Sequence, residues 1–227
     1  MLVKAIMRNS IGLSLFAVFT AGLIAISYSA TRDRAAANAD AYAARTLYEL
    51  VPESRFDQPI EQQDVSLLEH REQLTGVNSL NLRSDRPAFR AVLDGEVNAV
   101  VLPVTSADGY TGDIDLLIAV AEDGTLLGVR VVAHQETPGL GDAIEADRSD
   151  WVLQFDGTSL SMPAPEQWAV RKDGGDFDQL TGATITPRAV VAAVKAGLHF
   201  FADNREWLLT PPSSADQDDP AGAADHG

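Results

Sequence analysis

Residues 113–134 read DIDLLIAVAEDGTLLGVRVVAH. Two β-rich runs, 113–121 and 125–134, flank Glu122-Asp123-Gly124, and Asp-Gly between such runs predicts a hairpin. Val129 and Val131 alternate with Arg130, as a half-buried strand requires. Upstream, residues 98–104 (NAVVLPV) form a Val-rich run bounded by Asp94-Gly95 and by residues 106–109. The strand pattern begins at Ala88. Downstream, residues 144–150 suggest a short helix and 151–155 the start of a strand. Thr186-Pro187 predicts a helix start, with Thr186 as N-cap and Pro187 at the first helical position. Val190, Val194, Leu198 and Phe201 then recur on one apolar face, which Val191 widens. Pro211-Pro212 stops the element. The fold class that follows is α+β, an antiparallel sheet with flanking helices.

The amino-terminal part has another character. Arg8 and Arg32 bracket an uncharged segment whose apolar part, residues 11–30, reads IGLSLFAVFTAGLIAISYSA. At about 1.5 Å per residue, roughly 20 residues cross a hydrocarbon core of about 30 Å. A cleaved signal has a shorter apolar region and small residues before its cut. Here a cut after Ala30 would leave bulky Tyr28 three residues before it. The segment therefore reads as an uncleaved, single-pass transmembrane anchor. Lys4 and Arg8 nearly balance Arg32 and Arg34, so basic bias alone does not orient it. A short amino-terminal tail ahead of a long acidic domain fits a cytoplasmic amino terminus and an exported domain. The expected organisation is a cytoplasmic stub and anchor over 1–31, then a helical or irregular connector packing on the domain over 32–87. The globular domain spans 88–210, and a disordered acidic tail 211–227. Within the connector, residues 34–50 read as a helix ended by Pro52, and Leu67, Leu68 and Leu74 as a short helix.

Composition narrows the function. The chain has 227 residues, a net charge of −16 and 45% apolar residues. That apolar content suits a real core. A nucleic-acid binder needs a basic footprint, and this chain has none. Cysteine is absent, which removes disulfides, thiolate metal sites, Cys-ligated clusters and a Cys nucleophile. Redox chemistry here would need a borrowed cofactor. His70, His134, His199 and His226 are scattered, so no metal site is expected. His199 reads as an interface histidine beside core positions. Asp173, Asp176 and Asp178 around Gly174-Gly175 lack the Glu of a calcium loop and read as a solvated turn. Trp151, Trp168 and Trp207 read as core.

Two loops carry candidate chemistry. Residues 134–141, HQETPGLG, follow the second hairpin strand. Pro138-Gly139 signals a type II turn. Glu136, Thr137 and the turn amides offer hydrogen-bond groups to a planar polar ligand, with Gly139 and Gly141 permitting close approach. Residues 178–187, DQLTGATITP, bring three threonines, a Gly and an Ala to a helix start, where free N–H groups hold phosphate well. A plain turn and a plain capping loop remain the alternatives on spacing alone.

Residues 178–184, DQLTGAT, resemble the covalent flavinylation motif of the FMN-binding domain family. HQETPGLG and Gly109-Tyr110-x-Gly112 resemble further signatures of that family, and all three occur in its order behind a single anchor. The resemblance is nearest to the G subunits of the Rnf-type ion-translocating electron-transport complex. It implies FMN held covalently through a phosphoester to Thr184, installed by a dedicated flavin transferase. It implies that Asp178, Thr181, Gly182 and Ala183 form the motif which that enzyme reads. It implies Glu136, Thr137, Gly139, Leu140 and, less directly, His134 as contacts of the isoalloxazine ring. The implied protein is an electron relay in the inner membrane with its FMN domain in the periplasm. It would work among other subunits of a complex that couples ferredoxin/NAD electron transfer to ion movement. It carries no catalytic residue of its own, since no nucleotide fingerprint or cluster ligand is present. The C subunit of the sodium-translocating NADH:quinone reductase shares anchor and motif and stays open as an alternative. So does a tethered binding or assembly module without flavin.

Overall fold

The computed structural model describes residues 2–211. The acidic tail expected over 211–227 therefore lies, apart from Pro211, outside the described residues. The chain divides at Arg45/Thr46 into two units. The first is helical and belongs to α1, Leu2–Leu50, which Pro52 follows. Its described side chains over 12–28 are mostly exposed, Phe19 at 71%. Among the described residues, no helix is long and apolar enough to cross a membrane. The apolar segment 11–30 extends beyond the side chains described there.

The second unit is built on one antiparallel meander, in the order β1-β2-β3-β4-β5. The strands are β1 (Asp64–Val65), β2 (Ala88–Leu93), β3 (Glu96–Ser106), β4 (Ile114–Ala121) and β5 (Leu126–Ala133). Asp94 and Gly95, at φ 54° and 81°, join β2 to β3 in a two-residue turn. The hairpin expected at Glu122-Asp123-Gly124 joins β4 to β5. Asp123 Oδ1 accepts from Thr125 N at 2.9 Å, and Gly124 N donates to Ala121 O. Its register pairs Ile118 with Val129 and Leu116 with Val131.

β3 and β4 read as continuous apolar runs because the sheet is covered on both faces. On one face Val100, Leu102, Val104, Leu116, Ile118 and Val120 join α2, Ile185–Asp203. That helix contributes Val190, Val194, Leu198 and Phe201, the expected stripe. On the other face Ala99, Val101, Leu117 and Ala119 pack with Leu47, Leu50, Val51 and Ile60. The short α3, Arg205–Leu208, follows Asn204. The Asn204 side chain bonds the N–H and C=O of Thr75 and so ties that loop to the end of α2.

Several local expectations change. Residues 151–155 do not start a strand. Asp150–Phe155 is a 3-10 helix whose amino end is capped by Ser149 Oγ accepting from Trp151 N. Trp151 Nε1 also donates to the distant Asp178 carbonyl at 2.7 Å, a contact that overrides the local preference of Trp, Val and Phe for strand. Gly141–Ile144 is a 3-10 turn, not part of a helix over 144–150. Leu67 and Leu74 are buried from turns, without the short helix expected there. Trp151, Trp168, Phe155 and Phe177 form an aromatic cluster in the core. His199, expected beside core positions, is exposed on α2.

Candidate functional site

Three loops converge at the amino end of α2. The Pro138-Gly139 turn forms as the sequence predicts, with Leu140 N donating to Thr137 O at 3.1 Å and Gly139 at φ 77°. Gly139 N donates to Asp142 Oδ1, which fixes the turn further. Glu136, just before it, is 4% exposed. Its Oε1 accepts from Thr111 N at 3.0 Å, and its Oε2 accepts from the Thr186 hydroxyl. One buried carboxyl thus holds together the 109–112 loop, the 134–141 turn and α2. Satisfying a buried carboxyl this way is a condition of placing it there.

The helix begins two residues earlier than its sequence suggests. Thr184 occupies the N-cap position at φ −92° and ψ −30°, Ile185 is first in the helix, and Pro187 is third. Pro187 is tolerated because the first turn has no intrahelical acceptor for its amide. Thr186 does not cap because its hydroxyl is spent on Glu136. The Thr184 side chain makes no capping bond. It has no hydrogen-bond partner among the described residues. Gly182 precedes it at φ 83°, in the left-handed region that favours glycine. A Cβ there would lie 2.8 Å from Leu140 Cδ2.

These loops enclose a cavity of about 470 Å3 lined by Tyr110, Glu136, Thr137, Leu140, Gly141, Gly182, Ala183, Thr184, Ile185 and Thr186. That is within the roughly 300–1,000 Å3 of small-molecule sites. The wall is apolar at Tyr110, Leu140 and Ile185, which are 72%, 44% and 43% exposed. The other end is the start of a 19-residue helix, whose unpaired N–H groups and dipole favour an anion. A planar apolar ligand with an anionic tail matches both ends.

Comparison with known proteins bears on the same residues. The FMN-binding domain model matches residues 109–199, and the RnfG N-terminal region model matches 1–50. The G subunit of the ion-translocating oxidoreductase complex from Pseudomonas aeruginosa is 46% identical over 213 residues, covering 93% of this chain and 96% of its own. Proteins of the same name from Pseudoalteromonas atlantica and Vibrio cholerae are 43% and 39% identical. They cover 91% and 93% of this chain, and 93% and 98% of their own. The chain belongs to this G-subunit family. All of the residues lining the cavity fall inside the stretch that matches the FMN-binding domain.

In this member of the G-subunit family, the site residues expected from sequence divide into two groups. Glu136, Thr137, Leu140, Gly182, Ala183 and Thr184 line the cavity together. Gly139 and Thr181 stand beside it in the two loops and do not line it. His134 is also outside the lining: its Nδ1 accepts from Glu136 N and its Nε2 bonds Glu145 Oε1 at 2.6 Å. It braces the turn from behind. Asp178 is exposed and paired with Arg171 at 2.7 Å. Gly141, expected to permit close approach, lines the cavity, and Tyr110, Ile185 and Thr186 line it beyond the contacts that the sequence implies. The Gly-Tyr-x-Gly signature is the available signal for Tyr110. Nothing local marks Thr186 as the partner of Glu136.

Proposed function

We propose that this chain is a membrane-anchored electron carrier whose FMN is attached through a phosphoester to Thr184. The observation that carries the reading is the Thr184 hydroxyl, free of hydrogen bonds to the described residues at the start of α2 and lining the cavity shared by both loops. A threonine hydroxyl is a weak nucleophile, and a flavin transferase that delivers FMN from FAD would supply the activation. Asp178, Thr181, Gly182 and Ala183 are the motif offered to that enzyme. The dipole of α2 favours the remaining phosphodiester charge, typically by about 0.3–1 kcal/mol at an exposed position. Leu140, Ile185, Thr137 and the turn around Gly139 would orient the ring system, while Glu136 and His134 hold that turn in place. Bound FMN supplies one- and two-electron redox chemistry, and the protein's share is orientation and tuning.

In this reading residues 1–31 are the cytoplasmic stub and inner-membrane anchor, and 32–87 connect them to an FMN domain over 88–210 in the periplasm. The exposed apolar side chains Leu13, Phe16, Val18, Phe19, Leu23 and Ile24 support the anchor, since water is a poor solvent for such a run. The family supports electron transfer within an ion-translocating complex. The chain would relay electrons between partner subunits that handle ferredoxin and NAD, while other subunits move the ion. The test is to purify the chain from its native host, denature it, and view the gel under ultraviolet light. Peptide mass spectrometry over 173–188 follows on the same band. A fluorescent band with an FMN-sized phosphoester increment on Thr184 is expected. A dark band with Thr184 unmodified, in a host that has the transferase, overturns the attachment.

A further inference from the structure

Asp178 is exposed, yet its N–H, its carbonyl and its carboxylate are each held by a side chain from outside its loop. Gln154 Oε1 accepts from its N–H at 2.6 Å, Trp151 Nε1 donates to its carbonyl at 2.7 Å, and Arg171 pairs with its carboxylate at 2.7 Å. Phe177, just before it, is 2% exposed and stacks with Phe155 in the core. Thr184 follows in the same loop, and a bond from Ala183 N to Leu180 O closes the turn between them. A buried indole N–H needs an acceptor, so the Trp151 bond has a reason in the core. The Gln154 bond has none there. Gln154 is half-buried beside the exposed Leu153, and its amide is used at both ends, with Nε2 donating to Trp151 O at 2.7 Å. Ordering so long a side chain costs rotamer entropy, and water alone would satisfy an exposed N–H. What the bond gains is a fixed position for Asp178.

We propose that Gln154 is a positioning residue for flavin attachment: it holds Asp178 in the place where the flavin transferase docks. The proposal rests on the reading of Thr184 given above. In that reaction the Thr184 hydroxyl oxygen bonds to the FMN phosphorus of FAD, the phosphoanhydride bond breaks, AMP leaves, and the hydroxyl proton passes to the transferase. A loop ordered in advance loses less entropy on docking and so binds the enzyme more tightly. The Arg171–Asp178 pair is exposed on both sides, and such a pair contributes little to stability. A donor group of the transferase can take the guanidinium's place on the carboxylate, while Gln154 keeps the backbone where it is.

The experiment uses the full chain, purified in detergent from a host without the flavin transferase, as wild type, Gln154→Met and Gln154→Glu. Purified transferase and FAD are added, and initial rates are read as covalent flavin fluorescence on denaturing gels over a range of chain concentrations. Gln154→Met keeps the length and loses the acceptor. Its KM is expected to rise at least about fivefold, because the ordering of Asp178 moves into the docking step. Its kcat is expected to stay within about twofold, since the chemistry at Thr184 is untouched. Gln154→Glu restores an acceptor for Asp178 N and should recover part of the KM. Unchanged KM in Gln154→Met, or a fall in kcat at constant KM, overturns the positioning role and leaves the Thr184 attachment standing. A wild-type band that stays dark after treatment overturns the attachment itself, and the positioning role with it. Should Gln154→Met lose its far-ultraviolet circular dichroism, Gln154→Asn, too short to reach Asp178 N, is judged by the same outcomes.

Discussion

The Thr186 hydroxyl donates to Glu136 Oε2 across 50 residues of sequence, with the two side chains 1% and 4% exposed. The bond joins the first turn of α2 to the loop after β5, and the second carboxyl oxygen carries the link on to Thr111. Thr186→Val removes the donor, keeps the volume, and leaves a buried oxygen unpaired. The expected loss is about 1–3 kcal/mol, the cost of leaving a buried polar atom without its partner. Urea unfolding of the full chain in detergent measures it. A loss below about 0.5 kcal/mol would mean that water replaces the hydroxyl and that the three loops are held by other contacts.

Thr184 stands at an N-cap position, where Thr→Ala usually costs about 0.5–2 kcal/mol because a capping bond is lost. Here no such bond exists. Thr184→Ala should therefore change the urea midpoint by no more than a surface substitution does, within about 0.5 kcal/mol, while covalent flavin fluorescence disappears. Thr184→Ser should keep the hydroxyl and at least part of the fluorescence. Covalent flavin retained in Thr184→Ala would place the attachment elsewhere.

Asp173 and Arg188 form a two-point ion pair that ties the turn at Arg171–Asp173 to the first turns of α2. The hydrogen bond from Arg188 holds the Asp173 carboxyl below the usual carboxylate range, against a smaller opposing effect of desolvation. A folded-state pKa below the unfolded one stabilises at pH values above the unfolded pKa. That contribution is lost as the pH falls through the lower folded value. The pair should thus persist at pH values where free aspartate is already partly protonated, and break only below them. Carboxyl NMR of Asp173 reads the midpoint directly. Arg188→Gln should raise it toward the ordinary value, and an unmoved midpoint would show that the guanidinium is not its cause.

The strands and α2 were legible because their signals are local. Asp123-Gly124 fixes the β4–β5 hairpin, Asp94-Gly95 marks the start of the β3 run, and the stripe from Val190 to Phe201 needs only a helical period. The 3-10 helix at Asp150–Phe155 was not legible, because its sequence favours a strand and the deciding contact comes from the Asp178 carbonyl, 27 residues away. The true start of α2 was hidden for the same reason: Thr186 looks like a cap until Glu136 claims its hydroxyl. Of the site, the two loops were legible as separate motifs, but their meeting in one cavity depends on the meander returning β5 to the amino end of α2. Glu136 was legible as a residue of the 134–141 turn with hydrogen-bond groups to offer, but its burial was not, since most carboxylates are exposed. Two donors from other loops make it a buried brace.

Gly182 separates two effects that a substitution there would mix. Its φ of 83° is costly for any residue with a Cβ, and a Cβ would also press on Leu140 Cδ2 at 2.8 Å. The second effect is relieved cheaply, because the contact is the far end of a side chain that is 44% exposed and can change rotamer. The first has no such escape, and the left-handed region costs roughly 1–2 kcal/mol per L-residue. Gly182→Ala should lower stability by about that amount, and adding Leu140→Ala should not restore it. Gly182→Asn should recover part of the loss, because asparagine enters the left-handed region more readily. Full recovery in the Gly182→Ala, Leu140→Ala double variant, followed by urea unfolding, would instead assign the cost to the contact with Leu140 and leave the backbone of the TGAT loop unstrained.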